Sequence, residues 1–193
     1  MNGMRGFSLI ELIVGMAILG ILMSIGIPAF SDWMRNARVR TTAESVLNGL
    51  QLARAEAVRR NTTVGFYLVD NASPCALSTE GPNWIVSVDS PVGQCDVAAS
   101  DTVAPRIIQS RAGNESGGAA TTVAAGQSSV VFNGLGRPTP VPGGNIAINF
   151  TDAAGAACVA ASGPVRCLRA EISIGGQIRM CDPALPAGDA QAC

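Results

Sequence analysis

The hydrophobic pattern divides the chain into three parts. Residues 12–31 contain no charged side chain, and this stretch of twenty residues is long enough to cross a bilayer core as a helix. Over residues 32–60 the apolar positions recur at intervals of three and four, which is typical of an amphipathic helix packed on a domain. From residue 61 onward the period changes to two, which indicates strands. One helix of about fifty residues, roughly 80 Å long, is therefore expected to lead into a β-rich domain.

The amphipathic part and the predicted strands define the expected core. The apolar positions of the helix are Val39, Ala43, Val46, Leu47, Leu50, Ala53 and Ala57. Strands are predicted at residues 63–69, 84–88, 106–108, 129–132, 145–150, 167–174 and 177–181. Gly175-Gly176 is predicted to be a two-residue hairpin turn, and residues 112–128 and 134–144 are predicted to be loops. The fold class is α+β, with the helix packed against an antiparallel sheet.

The amino-acid composition excludes most classes of enzyme. The chain has 193 residues, of which 48% are hydrophobic and 14% charged, and it contains no His and no Lys because all 13 basic residues are Arg. A Ser/His or Cys/His catalytic pair, a His-ligated zinc site, a Schiff-base lysine and a Walker A loop are thereby excluded. We expect a non-enzymatic protein without a cofactor or a metal. Residues 1–60 carry seven Arg against four acids and residues 61–193 six Arg against ten acids, giving net charges of +3 and −4.

Glu11 is the unusual residue of the apolar segment. A secretory signal peptide is the competing interpretation, but it would have a basic region first and a small-residue cleavage site after the apolar core. Here Glu11 lies inside the apolar run, and Asp32-Trp33-Met34-Arg35 follows it. A carboxylate near the bilayer centre costs about 2.5–3.5 kcal/mol on insertion scales. Glu11 is therefore a candidate functional residue.

Residues 6–12, Gly-Phe-Ser-Leu-Ile-Glu-Leu, resemble the type III signal of type IV prepilins and type II secretion pseudopilins. The resemblance implies that a prepilin peptidase cleaves between Gly6 and Phe7 and methylates the new amine of Phe7. Cleavage creates a positive amine four residues before Glu11, so the acid can pair with such an amine on a neighbouring subunit and be buried in a filament. Pro28 is expected to kink the helix or to melt it locally, because proline removes a backbone hydrogen bond.

The resemblance also implies a location and a domain order. Residues 1–6 are the leader, 7–31 the membrane and filament-core segment, 32–60 the amphipathic second half, and 61–193 a periplasmic head of a protein in the bacterial inner membrane. The distribution of arginines predicts the opposite membrane orientation, with the head on the cytoplasmic side. Arg5 alone precedes the span, whereas Arg35, Arg38 and Arg40 follow it. The motif is the more specific of the two signals.

Three further segments narrow the resemblance to the GspH/FimT family of minor pilins and pseudopilins. They are residues 52–61, 131–138 and 176–181. This family implies a type IV pilin-like fold and a minor pilus subunit that helps to initiate or cap a filament for twitching, adhesion or DNA uptake. Its partners would be other major and minor pilins. The alternative within the same class is a type II secretion pseudopilin of the GspH type.

The cysteine count indicates an oxidising compartment. Six cysteines all follow the apolar segment: Cys75, Cys95, Cys158, Cys167, Cys181 and Cys193. Fifteen pairings are possible. Proximity in the sequence favours Cys75–Cys95, Cys158–Cys167 and Cys181–Cys193. A zinc site is the rival use, but the chain has no Cys-x-x-Cys spacing and no His.

A third possible function is a receptor for double-stranded DNA in natural transformation. Some members of the family resemble DNA receptors that carry Gly-Arg-x-Arg on the final hairpin, where this chain has Gly176 to Arg179 with a single Arg. Arg166 and Arg169, assigned to the preceding strand, fall on opposite faces of it, and Arg137 is a possible loop contribution. In the competing interpretation these arginines are solvated or paired with Glu171 and Asp182, and a head of charge −4 opposes attraction to DNA.

Overall fold

The computed structural model describes residues 9–70, 74–113 and 120–193. Gly6 and Phe7, the expected cleavage site, lie outside these residues. The chain divides into two compact units, of which the first ends at Met34 and the second comprises Arg35–Cys193. Helix α1 spans Leu9–Arg60, and a 3-10 helix spans Val159–Ala161. Eight strands follow α1 within the described residues: β1 (Val64–Leu68), β2 (Trp84–Ser87), β3 (Ile107–Arg111), β4 (Thr121–Ala125), β5 (Ser129–Phe132), β6 (Ile146–Asp152), β7 (Leu168–Ile172) and β8 (Ile178–Cys181).

The first unit is the apolar half of α1. Its most apolar window has a mean hydropathy of 2.4 with none of it buried, so by length and composition this helix is able to cross a membrane. The helix is unbroken from Leu9 to Arg60. That continuity contradicts the expected local melting at Pro28, whereas a kink there stays a prediction.

The second unit has a main core shared by the helix and two sheets, and a smaller buried cluster of Tyr67, Val69, Ile85 and Ile107. The helix contributes fully buried side chains at six of the seven predicted positions, with Leu47 partly buried. Two four-stranded sheets, ordered β3-β2-β1-β5 and β4-β6-β7-β8, replace the expected single sheet, and all their neighbouring strands are antiparallel. Side chains of both sheets belong to the same buried cluster as the helix.

Gly49 allows the first sheet to approach the helix. A Cβ atom on Gly49 would lie 2.8 Å from Cε2 of Phe66 and 3.0 Å from the ring of Trp84. The Trp84 indole Nε1 donates a hydrogen bond of 3.2 Å to the Ser45 hydroxyl, one turn earlier on the same helix. The aromatic rings of β1 and β2 therefore pack directly against the helix backbone, which fixes the head on the second half of α1.

Strand β4 lies inside the segment predicted to be a loop, so that prediction is wrong over Thr121–Ala125. The strand pairs with β6 along its whole length and alternates buried Thr121 and Val123 with exposed Thr122 and Ala124. The alternation is carried by Thr and Ala, whose weak hydrophobic contrast hides it among flanking Gly, Ala and Ser. The outer edge of β4 is bonded to residues 79–81, since the Gly81 N–H donates to the Val123 carbonyl and the Ala125 N–H to the Thr79 carbonyl.

The final hairpin has a three-residue loop rather than the predicted two-residue turn. The Ser173 N–H donates to the Gln177 carbonyl at 2.9 Å, and the Gly176 N–H donates to the Ser173 carbonyl at 2.8 Å. Gly176 has a φ of 83°, the left-handed value that follows a type I turn in such loops. The loop therefore comprises Ile174, Gly175 and Gly176. Strand β3 also differs, since it continues to Arg111 beyond the predicted end at residue 108.

Candidate functional site

The N-terminal candidate surface is the exposed apolar half of α1. Glu11 lies in the first turn of the described part of the helix, and its side chain is exposed among exposed Leu9, Ile10 and Leu12. A surface of this kind suits either lipid or the apolar face of another helix. Glu11 is one of two acidic residues in the described part of this unit, together with Asp32.

The three disulfides join the same pairs that sequence proximity favoured. Their Cα–Cα distances are 6.2 Å for Cys75–Cys95, 5.4 Å for Cys158–Cys167 and 5.1 Å for Cys181–Cys193. The first joins the segments before and after β2, the second ties the 3-10 helix to the entry of β7, and the third ties the C-terminal tail to the end of β8. All six sulfurs are thereby used, and none is left as a thiolate ligand.

Two of the arginines considered for DNA share one carboxylate. Arg179 donates to Oε2 of Glu171 from Nη2 at 2.8 Å and from Nε at 3.2 Å, and its Nη1 donates to the Ala192 carbonyl at 3.1 Å. Arg169 donates from Nε to Oδ1 of Asn149 at 2.8 Å, and its Nη1 lies 3.9 Å from Oε1 of Glu171. Glu171 therefore neutralises positive charge on both strands of the hairpin.

The other two candidate arginines differ from each other. Arg166 pairs with Asp182 through Nε, and its backbone N–H donates to the Asn36 side chain at 2.6 Å. Strand β7 begins at Leu168, so Arg166 precedes the strand on which the sequence had placed it. Arg137 is exposed, and within the described part of the chain its guanidinium has no acidic partner. The four arginines thus do not share one site.

Three segments distant in sequence meet at a contact that we call the glycine junction, formed by Arg54 and Val58 of α1, residues 133–137, and the 174–176 loop. A Cβ on Gly136 would lie 3.1 Å from both Nε of Arg54 and Cγ2 of Val58. A Cβ on Gly176 would overlap the carbonyl oxygen of Gly136. The same carbonyl accepts a 3.2 Å hydrogen bond from Arg54 Nε.

The loop of the glycine junction is held from inside by Asn133. Its Oδ1 accepts hydrogen bonds from the backbone N–H groups of Leu135 at 3.0 Å and Arg137 at 3.1 Å. A Cβ on Gly134 would lie 2.6 Å from Oδ1 of Asn61, which follows the end of α1. The sequence showed these glycines as turn residues, and the glycine spacing of the Asn-Gly-Leu-Gly-Arg run was the available sign of close packing.

Two groups of charges fix the loops beyond the helix end. Glu56 accepts hydrogen bonds from Arg59 and Arg60, whose guanidinium groups hold the pKa of its carboxyl below the usual range against the opposing effect of burial. Arg60 also binds Asp101 at 2.6 Å, which connects α1 to the loop before β3. In that loop the Arg106 guanidinium lowers the pKa of the Asp89 carboxyl.

The long N-terminal helix and the head of antiparallel β-sheets together define a type IV pilin-like fold. Residues 42–168 match the family model described as type II transport protein GspH, and residues 1–27 match the prokaryotic N-terminal methylation motif. The chain belongs to the GspH family and is related to type IV pilins. The family and fold class predicted from the sequence are confirmed.

Relatives with curated names are pilus proteins. The type IV narrow pilus major component PilA5 of Thermus thermophilus is 33% identical over 98 residues, covering 49% of this chain and 81% of that protein. A fimbrial protein of Pseudomonas aeruginosa is 36% identical over 74 residues, covering 38% of this chain and 45% of that protein. The minor pilin FimU of P. aeruginosa PAO1 superposes with a TM-score of 0.50 at 16% identity, covering 74% of this chain and 87% of that structure, which shows the fold.

Proposed function

We propose that this chain is a non-enzymatic minor subunit of a type IV pilus, which enters the filament through the first half of α1 and presents its head at the surface. The observation that carries the proposal is an exposed apolar helix half with Glu11 in its first described turn, in a chain of the GspH family. An isolated anchor has no use for a carboxylate in this position, whereas stacked helices neutralise it with the amine of a neighbour.

The same proposal fixes processing and location. A prepilin peptidase cleaves between Gly6 and Phe7 and methylates Phe7, which leaves a cationic amine. Before assembly the chain spans the bacterial inner membrane once, with the disulfide-bonded head in the periplasm. The match of residues 1–27 to the methylation motif supports the first step, and three disulfides after the apolar segment support the oxidising compartment.

Within the filament we assign the chain to initiation or capping, together with other major and minor pilins. A type II secretion pseudopilin is the second candidate, favoured by the description of the matching family model. The pilus takes precedence because the named relatives come from pili and fimbriae. Deletion in the native host separates the two, since loss of twitching with intact protein secretion supports the pilus and the reverse result supports the pseudopilus.

The assembly step is tested by replacing Glu11 with Ala in the native host. We expect a chain that is still cleaved and inserted in the membrane but is depleted from sheared filaments. Mass spectrometry of the wild-type protein should show an N-terminus at methylated Phe7. Glu44→Ala is the matched control, because Glu44 is a half-exposed carboxylate on the same helix that pairs with Arg40. Equal filament incorporation of the Glu11→Ala variant and the wild type would contradict the pairing of Glu11 with a neighbouring amine.

A further inference from the structure

The glycine junction presents an exposed apolar surface on a rigid base. The loop of residues 133–137 is fixed to α1 and to the 174–176 loop through contacts that leave no room for a Cβ on Gly176. Around this base, Leu135 is 78% exposed, Val58 51% and Ile174 46%. Three branched aliphatic side chains held on three different elements lose little conformational freedom on binding, which is the property that favours protein docking.

The charge at this surface is positive and is not neutralised by the chain itself. The Arg54 guanidinium bonds only to the Gly136 carbonyl and the Arg137 guanidinium to no side chain, when contacts with the described residues are counted. Arg169 and Arg179, by contrast, are both held by Glu171. Two unneutralised guanidinium groups beside exposed aliphatic side chains call for a partner that is both acidic and apolar.

On the basis of the proposed filament function, we propose that the glycine junction docks onto an acidic surface on the head of a neighbouring pilin subunit. Residues 61–193 of this chain carry ten acids against six arginines, so a related head supplies the complementary charge. DNA is the other polyanion to consider. A phosphate backbone has no apolar surface to cover Leu135, Val58 and Ile174, and its binding requires several cationic contacts.

A photo-crosslinking amino acid at position 135 tests the docking in the full chain, expressed in the native host with its pilin partners. We expect irradiation to join position 135 to another pilin subunit, with a yield several-fold above that from position 92. Val92 is the control because it is 51% exposed, like Val58, but lies on the loop closed by Cys75–Cys95. Equal yields at the two positions, or adducts that nuclease removes, would overturn the docking of a pilin head.

Charge reversal provides an independent measurement. Arg54→Glu combined with Arg137→Glu should lower the amount of the chain in sheared filaments about tenfold, the change that 1.4 kcal/mol represents. Arg111→Glu is the control, because Arg111 is exposed on β3, at the opposite edge of the first sheet from β5. Unchanged incorporation of the double variant overturns the docking alone. Absence of the wild-type chain from filaments overturns the filament function as well, so the two failures are distinguishable.

Discussion

The backbone of Gly176 lies so close to the carbonyl oxygen of Gly136 that a Cβ atom on residue 176 would overlap it. Gly176 also has a φ of 83°, which side chains disfavour. Two independent constraints therefore require glycine at this position, one from the turn and one from the packing of the 174–176 loop on residues 133–137. The hairpin and the loop after β5 are fixed to each other by backbone contact.

Gly176→Ala should destabilise the head by about 2–5 kcal/mol. About 1–2 kcal/mol comes from the left-handed backbone and about 1–3 kcal/mol from overpacking against residue 136. Gly175→Ala is the matched control, since a Cβ there meets its nearest neighbour at 3.8 Å. Urea unfolding of the full chain in nonionic detergent, followed by tryptophan fluorescence, measures the free energy of unfolding of both variants. Similar midpoints for the two variants would contradict the packing seen at Gly176.

Glu171 controls the charge available to a polyanion on the final hairpin. Replacing it with Gln should free Arg169 and Arg179 from their shared carboxylate. Each additional phosphate contact steepens the dependence of log K on log salt by about 0.9, so a slope steeper by about 1–2 is expected for double-stranded DNA. Glu44→Gln removes the same charge from the exposed Arg40 pair and serves as the control. Anisotropy titrations of the full chain in detergent at two salt concentrations make the comparison.

A larger increase in the salt dependence of DNA binding from Glu171→Gln than from Glu44→Gln would show that Glu171 neutralises the hairpin arginines in the native chain. Strong binding by the unaltered chain that is lost in Arg179→Ala would instead show that the ion pair with Glu171 opens for DNA. The pairing seen in the structure favours the first result.

The Cys181–Cys193 disulfide holds the C-terminal tail in place. Two hydrogen bonds to the rest of the head assist it at the tail's end, one from the Arg179 guanidinium to the Ala192 carbonyl and one from the Asp182 N–H to the Gln191 carbonyl. Replacing both cysteines with Ser should therefore free residues 183–193 and cost about 3 kcal/mol, the value expected for a loop of this order.

Hydrogen exchange with mass spectrometry checks that prediction. Amide protection should fall in the tail and not in β1 or β2. The equivalent double replacement of Cys75 and Cys95 should leave tail protection unchanged, because that disulfide closes a loop elsewhere. Loss of protection throughout the head in the tail variant would show that the disulfide supports the core and not the tail alone.

Local patterns predicted the features that depend on neighbouring residues. The buried face of α1 follows from apolar side chains such as Val39, Ala43 and Leu50 at helical spacing, and fully buried side chains at these positions confirm it. Most strand bounds agree to within two residues because their cores are β-branched or aromatic. Strand β4 was missed because Thr and Ala provide little hydrophobic contrast.

Features that depend on register or on distant contacts could not be derived in the same way. Glu171 lies opposite Arg179 only because of the β7–β8 register, which a three-residue loop sets. The glycine junction joins residues 54, 136 and 176, and no local pattern indicates which turn meets which helix face. The separation of the strands into two sheets likewise depends on pairing between distant segments.

Acid sensitivity is expected at the end of α1. The Arg59 and Arg60 guanidinium groups lower the pKa of Glu56 in the folded chain, whereas the unfolded carboxyl titrates near about 4.3. The unfolded state therefore takes up a proton at a higher pH than the folded state, and stability falls as the pH decreases. The contribution of Glu56 is fully present above about pH 4.3 and is lost as the pH falls through the lowered folded value.

Glu56→Gln should therefore reduce the free energy of unfolding at neutral pH and flatten its decline between about pH 5 and pH 2. Glu80→Gln is the control, because Glu80 forms no ion pair with the described residues. Urea unfolding of the full chain at a series of pH values gives both curves. If the Glu56 and Glu80 variants lost stability in parallel with the wild type as the pH falls, the helix-end ion pairs would not be the source of the acid sensitivity. A flattened stability curve confined to the Glu56 variant would assign the acid sensitivity to the ion pairs that connect Glu56 through Arg60 to Asp101.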